Sequence, residues 1–171
     1  AVVWGSGIHV KGSVTAIFKQ SNYRKYDIRS VRGPITKFIL DAAGYRCPSV
    51  FGDPAILMPN IYMPKEGKKY NISIIKHLSN EALDVRNDIH FINVKTDNYK
   101  KFIKEIVQSR KIISSSLHGI ILAEAYGIPA IFLNDGMDNE ILKFFDWYLS
   151  TKRSNIQIDR SIDEAVRLKP M

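Results

Sequence analysis

Lys111-Ile-Ile-Ser-Ser-Ser-Leu-His-Gly-Ile-Ile-Leu-Ala-Glu-Ala-Tyr-Gly-Ile-Pro-Ala-Ile-Phe-Leu133 reads as a strand, a hydroxyl-rich turn, a short helix and a second strand. The first amides of a helix have no intrahelical partner and lie at the positive end of its dipole. A turn through Ser114, Ser115 and Ser116 into such a helix is therefore suited to holding a phosphate or a carboxylate. His118, just inside the helix start, adds a group whose charge can change near neutral pH. If the chain has an active site, this stretch is where it is expected.

Moving outward, the same alternation continues. Tyr70 to Lys76 and His90 to Val94 read as strands, and Asn98 to Ser109 reads as a helix with Phe102, Ile103, Ile106 and Val107 on one face. Beyond the stretch come a helix from Asn139 to Leu149, a short strand from Ser154 to Asp159 and a terminal helix. Toward the N-terminus, the apolar Ala1 to Trp4 strand runs into Gly5-Ser6-Gly7, a tight turn at the carboxyl end of a parallel strand. No βαβ unit stands ahead of it, so the domain is expected to be entered midway. Asp27 to Arg32 alternates like a strand, Pro34 fits the first turn of a helix from Ile35 to Ala43, and Gly44 caps that helix. Val50 to Pro59 is an apolar path broken by glycine and proline, and Asn60 to Lys69 has linker composition. The expected fold is α/β with Rossmann-like parallel sheets. It divides into a partial N-terminal domain with its linker at residues 1–64 and a C-terminal domain at residues 65–171.

Composition sets bounds on function. With 45% hydrophobic and 25% charged residues the chain is ordinary for a globular protein. No window approaches the roughly 18 uninterrupted apolar residues of a membrane span, and the first residues lack signal-peptide layout. One cysteine, Cys47, excludes an internal disulfide or a cysteine-built metal cluster and makes a cytoplasmic setting the default. The net charge of +8 favours anionic partners. The basic residues are scattered in pairs such as Lys68/Lys69 and Arg110/Lys111, the pattern of solvated faces. No interleaved basic and aromatic pattern points to nucleic acid.

Other residues carry weaker chemical signals. One of the three serines suffices as a helix N-cap. Glu124 could bond a ligand hydroxyl or sit in solvent. Arg32 before Gly33-Pro34 could present a planar fork to a carboxylate or phosphate, or be a surface arginine. Asp53, held extended before Pro54, could act as a base or accept a sugar hydroxyl, or simply turn the chain. Gly5-Ser6-Gly7 falls short of a dinucleotide fingerprint. His9, His77, His90 and His118 have no metal-ligand spacing.

In order, Trp4-Gly-Ser-Gly-Ile8, Val31-Arg-Gly-Pro34, Phe51-Gly-Asp-Pro54, Ser116-Leu-His-Gly119 with Glu124-Ala-Tyr-Gly-Ile-Pro129, and Phe144-Phe-Asp-Trp-Tyr-Leu149 resemble the polysaccharide pyruvyltransferase family. The resemblance implies a GT-B-like fold whose active site lies between two Rossmann-like halves. It also implies transfer of the enolpyruvyl unit of phosphoenolpyruvate to a sugar of an exopolysaccharide or cell-wall glycan, with no metal and no further cofactor. On this resemblance His118 is general acid or phosphate ligand, and Arg32 neutralises the donor. Ser114, Ser115, Ser116, Gly119, Glu124, Asp53, Gly5, Ser6 and Gly7 line the substrate site. The acceptor it implies is a glycan or lipid-linked sugar met in the cytoplasm or at the inner face of the membrane. Relatives often carry arginine where this chain has Ser116. They are also longer, and the part expected to precede Trp4 would supply much of the acceptor site. A sheet edge left open by its lack would be masked by self-association. A GT-B glycosyltransferase using a nucleotide sugar is the alternative, with a non-catalytic anion-binding domain as a third reading.

Overall fold

The computed structural model describes residues 1–9, 11–20, 25–76, 88–134, 136 and 140–169. His77, and Asn139 at the expected helix start, lie outside the described residues. The chain is α/β with parallel sheets, and it forms two compact units. The first is Ala1–Pro54 with Met137–Ile156; the second is Ala55–Gly136 with Gln157–Met171. The expected change-over at residue 64 falls inside the second unit, and the segment holding the closing helix belongs to the first.

In the first unit β1 (Val2–Val3) pairs in parallel with β2 (Asp27–Ile28). Isolated parallel bridges from Ser6 to Val31 and from Val31 to Phe51 carry the pairing on to a third extended segment. Helix α1 (Lys11–Gln20) was not expected, since Gly12, Ser13, Val14 and Thr15 are weak helix formers. Helix α2 (Pro34–Ala42) has Pro34 in its first turn. It ends as expected at Gly44, whose φ is +87°. There the Tyr45 amide donates to the Leu40 carbonyl at 3.0 Å and the Gly44 amide to Asp41 at 2.9 Å, a Schellman closure. Ile28, Val31, Leu40 and the buried Cys47 form this unit's core.

The second unit begins with a 3-10 turn (Pro54–Leu57, its first residue shared with the first unit) and the single helical turn α3 (Met58–Ile61), where an irregular apolar path was expected. Its four strands are β3 (Ser73–Ile75), β4 (His90–Ile92), β5 (Ile112–Ser114) and β6 (Ala130–Phe132). They run parallel in the order β4-β3-β5-β6. Side chains alternate between the faces, and both faces are covered. Ile75 and Ile112 pack with Ile106 of α4 (Tyr99–Val107) and Ala123 of α5 (Leu117–Ala125). Ile74 and Ile113 pack on the other side with Ala165 of α7 (Ile162–Arg167). Burial on both faces explains the near-continuous apolar runs of these strands. The strand expected from Ser154 to Asp159 shrinks to one bridge between Asp159 and Leu133.

Two basic residues read as parts of solvated faces are instead caps. Lys111 donates to the carbonyls of Ala165, Val166 and Leu168 at 3.4, 2.6 and 3.2 Å, where α7 ends. Lys68 donates to Val107 and Ser109 at 2.9 and 2.7 Å, where α4 ends. Terminal carbonyls carry the negative end of the helix dipole and lack intrahelical partners, so a cation there is favoured. Burial lowers the pKa of both lysines.

Candidate functional site

In the second unit the chain leaves β3 for β4 on one side and returns to β5 on the other. The carboxyl ends of β3 and β5 thus flank a topological switch point, the place where open α/β sheets bind ligands. The serine turn is fastened there. The Ser115 amide donates to the Ile75 carbonyl at 3.0 Å. The Ser114 hydroxyl accepts from the Ser116 amide at 3.0 Å and donates to the Ser116 carbonyl at 2.9 Å. Ser116 is the N-cap residue of α5 but makes no side-chain cap. The Ser114 hydroxyl therefore shapes the loop, and the expected serine cap on the first helical amides is not seen. Ser114 and Ser115 are buried, Ser116 is half-buried and His118 is exposed at the helix start.

Gly119 is a packing residue here. A Cβ on it would lie 2.4 Å from Ser114 Oγ and 3.0 Å from Ile75 Cγ2, so only glycine lets α5 approach β3 and β5 this closely. Glu124 is half-buried near the far end of α5. Six residues at ~1.5 Å each place it roughly 9 Å along the axis from His118. The serines and His118 are thus brought together, and Glu124 stands apart from them.

In the first unit the three other motifs converge at the carboxyl ends of parallel strands. Gly5 has φ +69°, and its amide donates to the Ser30 carbonyl at 3.0 Å and the Ser30 hydroxyl at 2.9 Å. A Cβ on Gly5 would meet Pro54 Cδ at 2.3 Å, and one on Gly7 would meet Arg32 Cζ at 2.2 Å. The Ser6 carbonyl accepts from the Arg32 amide at 2.9 Å, leaving the Ser6 side chain exposed. The glycines of this turn make room for the arginine and the proline of the other two motifs.

Arg32 is 6% exposed, not a surface arginine. Its Nη2 donates to the Ile8 carbonyl at 2.7 Å, and its Nε lies 3.3 Å from Asp146 Oδ2. Burial lowers its pKa, opposed by the nearby negative charges of Asp146 and then Asp53. Asp53 is itself buried.

Asp146 was not singled out from sequence, although an acid among Phe144, Phe145 and Trp147 was a usable signal. It sits on α6 (Ile141–Ser150) and is 1% exposed. Its Oδ1 accepts from the amides of Ile35 and Thr36 at 2.9 and 3.1 Å, and its Oδ2 accepts from the Thr36 hydroxyl at 2.6 Å. Gly33, the N-cap of α2, has no side chain, so α6 supplies the cap. A Cβ on Gly33 would fall 1.9 Å from the Asp146 carbonyl oxygen, which explains the glycine between Arg32 and Pro34.

Sequence reasoning also missed carboxylates beside histidines, because the pairing is tertiary. His9 Nε2 lies 3.5 Å from Glu140, and His90 Nε2 lies 3.1 Å from Glu105. No group of three or more potential metal ligands occurs among the described residues. None of the described helices is long and apolar enough to cross a membrane.

The parallel sheets, with a hydroxyl-rich turn at a switch point and a buried arginine at a second set of strand ends, define a Rossmann-like α/β protein whose candidate residues lie at strand ends, where such sheets bind ligands. The polysaccharide pyruvyl transferase family model matches residues 1–136, and the chain belongs to that family. It is 30% identical over 163 residues to uncharacterized protein L143 of Acanthamoeba polyphaga mimivirus, covering 87% of this chain and 54% of that protein. It is 29% identical over 136 residues to the succinoglycan biosynthesis protein ExoV of Rhizobium meliloti (strain 1021), covering 74% of this chain and 41% of that one. The chain thus spans about half the length of the curated relatives it matches. Asp146 and Glu140 lie beyond the matched segment.

Proposed function

We propose that this protein takes part in pyruvyl transfer, moving the enolpyruvyl group of phosphoenolpyruvate onto a sugar of an exopolysaccharide or cell-wall glycan. The observation that carries this reading is the family match over residues 1–136, the span that contains the serine turn, His118, Arg32 and Asp53. The name of the succinoglycan biosynthesis relative is in keeping with it. In this proposal the donor's phosphate lies at the start of α5, where backbone amides and the helix dipole favour an anion. His118 stands beside it to protonate the enol methylene or to hold the phosphate as an imidazolium. Arg32, whose Nη2 already donates to the Ile8 carbonyl and whose charge is faced by Asp146, acts by holding the Gly5–Ile8 turn and contributing charge. The acceptor is a glycan or lipid-linked sugar, and the setting is the cytoplasm.

Titration of the protein with phosphoenolpyruvate, followed by calorimetry, tests the reading. Binding is expected, and His118→Ala should weaken it or lower turnover about 10²- to 10⁴-fold, the range for loss of a proton-transfer group. Stabilisation by nucleotide sugars and not by phosphoenolpyruvate would choose glycosyl transfer instead.

A further inference from the structure

A cleft of about 330 Å³ lies within the second unit, between β4, the turn that follows it and α4. Among the described residues β4 is an edge strand, with β3 between it and β5. Neighbouring strands lie ~4.8 Å apart, which sets β4 roughly 10 Å from the strand that carries the serine turn. The His90 amide donates to the Ile72 carbonyl at 3.2 Å, and the register pairs His90 with Ser73 and Ile92 with Ile75. His90 and Ile92 therefore turn their backbone groups toward β3. The amide and carbonyl of Phe91 point outward, and Phe91 lines the cleft.

The side chains around it are held in place. Tyr70 and His90 stack with ring centroids 3.6 Å apart, and His90 Nε2 lies 3.1 Å from Glu105 Oε2. The other Glu105 oxygen is 4.0 Å from Lys101 Nζ, too far for a hydrogen bond, and so stays an acceptor with a cation beside it. In the turn, Asn93 Oδ1 accepts from the Lys95 amide at 2.8 Å, which turns its NH2 the other way as a donor. Thr96 Oγ1 accepts from the Asn98 amide at 3.1 Å and keeps its own proton to give. Phe102, half-buried on α4, supplies an apolar wall.

We propose that this cleft is a binding site for a pyranose unit of a saccharide, with Glu105, Lys101 and the Phe91 backbone as its polar contacts. A sugar hydroxyl both donates and accepts, so neighbouring hydroxyls can use the Phe91 amide and carbonyl, the Glu105 oxygen and the Lys101 ammonium together. The C–H face of a sugar ring suits Phe102, because an aromatic face carries negative charge density. A phosphate or carboxylate ligand would meet two acceptors it cannot use, the Phe91 carbonyl and Glu105. A peptide added as a strand would find only Phe91 facing it, since β4 has three residues, and short edge strands discourage such pairing. The proposal goes beyond the pyruvyl-transfer reading. No reacting atom is placed in the cleft, and saccharide binding there needs no donor.

The test maps backbone amide shifts of the full chain, without phosphoenolpyruvate, on titration with cellobiose, lactose and maltose. Sodium phosphate and a blocked valine–threonine tetrapeptide are run beside them. At least one disaccharide is expected to move the signals of Phe91, Asn93 and Lys101 saturably, while phosphate and peptide leave them in place. Glu105→Gln should weaken that affinity about 5- to 10-fold, as a charged acceptor becomes a neutral one. Lys101→Ala, at a side chain 71% exposed and so harmless to the fold, should weaken it about 3-fold. The proposal is overturned if no disaccharide moves these signals, if phosphate or the peptide moves them instead, or if both variants bind like the wild type. Because no donor is present, loss of the pyruvyl-transfer reading would leave the result unchanged.

Discussion

Asp146→Asn isolates the joint between α2 and Arg32. The carboxylate accepts at 2.9, 3.1 and 2.6 Å from Ile35, Thr36 and the Thr36 hydroxyl, and it stands 3.3 Å from Arg32. Asparagine keeps one oxygen for the two amides but turns an NH2 toward Thr36 and Arg32, so the cap survives and the charge pairing does not. Removing one partner of a buried ion pair costs about 3–5 kcal/mol. Asp53 still faces Arg32, which puts the expected loss near the lower end, about 3 kcal/mol. Asp146→Ala also removes the cap and should cost about 1 kcal/mol more. The assay is urea unfolding at pH 7 followed by tryptophan fluorescence, because both tryptophans, Trp4 and Trp147, belong to the first unit. Arg32→Met and the double variant complete a cycle whose coupling should exceed about 1 kcal/mol. A loss below about 0.5 kcal/mol for Asp146→Asn, or additivity within that margin, would refute the reasoning.

Two further substitutions probe the second unit. Gly119→Ala would ordinarily gain about 1 kcal/mol of helix propensity. A Cβ 2.4 Å from Ser114 Oγ forces overpacking worth roughly 1–3 kcal/mol, so thermal melting should show net destabilisation that Ser114→Ala partly relieves. A stabilised Gly119→Ala would contradict the close approach of α5. Asp159 has a buried oxygen without a partner, and burial, followed by Glu164, raises its pKa above 3.8. A raised folded pKa favours the protonated form in the native state. That contribution is full below 3.8 and is lost as pH rises through the raised value. Asp159→Asn should therefore stabilise at pH 7 by roughly 1 kcal/mol, a gain that fades on acidification. Melting temperatures measured across pH would show it, and a neutral or harmful substitution at pH 7 would count against it.

The local grammar was readable because it rests on short-range rules. The β5-α5-β6 step, the helix start at Asn98, where the structure shows the side-chain oxygen accepting from Lys101 at 3.0 Å, and the Gly44 closure all follow from periodicity and end chemistry within a few residues. Helix α1 was hidden by weak propensity, and the last strand was overread because apolar alternation cannot say whether a neighbouring strand will be there to pair.

Sequence alone determined that the chain is α/β with parallel strands, that a serine turn enters a helix beside His118, that Gly5-Ser6-Gly7 follows a strand-like segment and that Arg32 ends another. Only the tertiary structure decided what those residues touch. It put the serine turn at the switch point between β3 and β5, buried Arg32 against an aspartate 114 positions away, and stood Glu140 beside His9. The reason is physical. Strand and helix formation depend on neighbours in the chain, whereas a buried charge finds its partner wherever the packed elements bring one within about 4 Å.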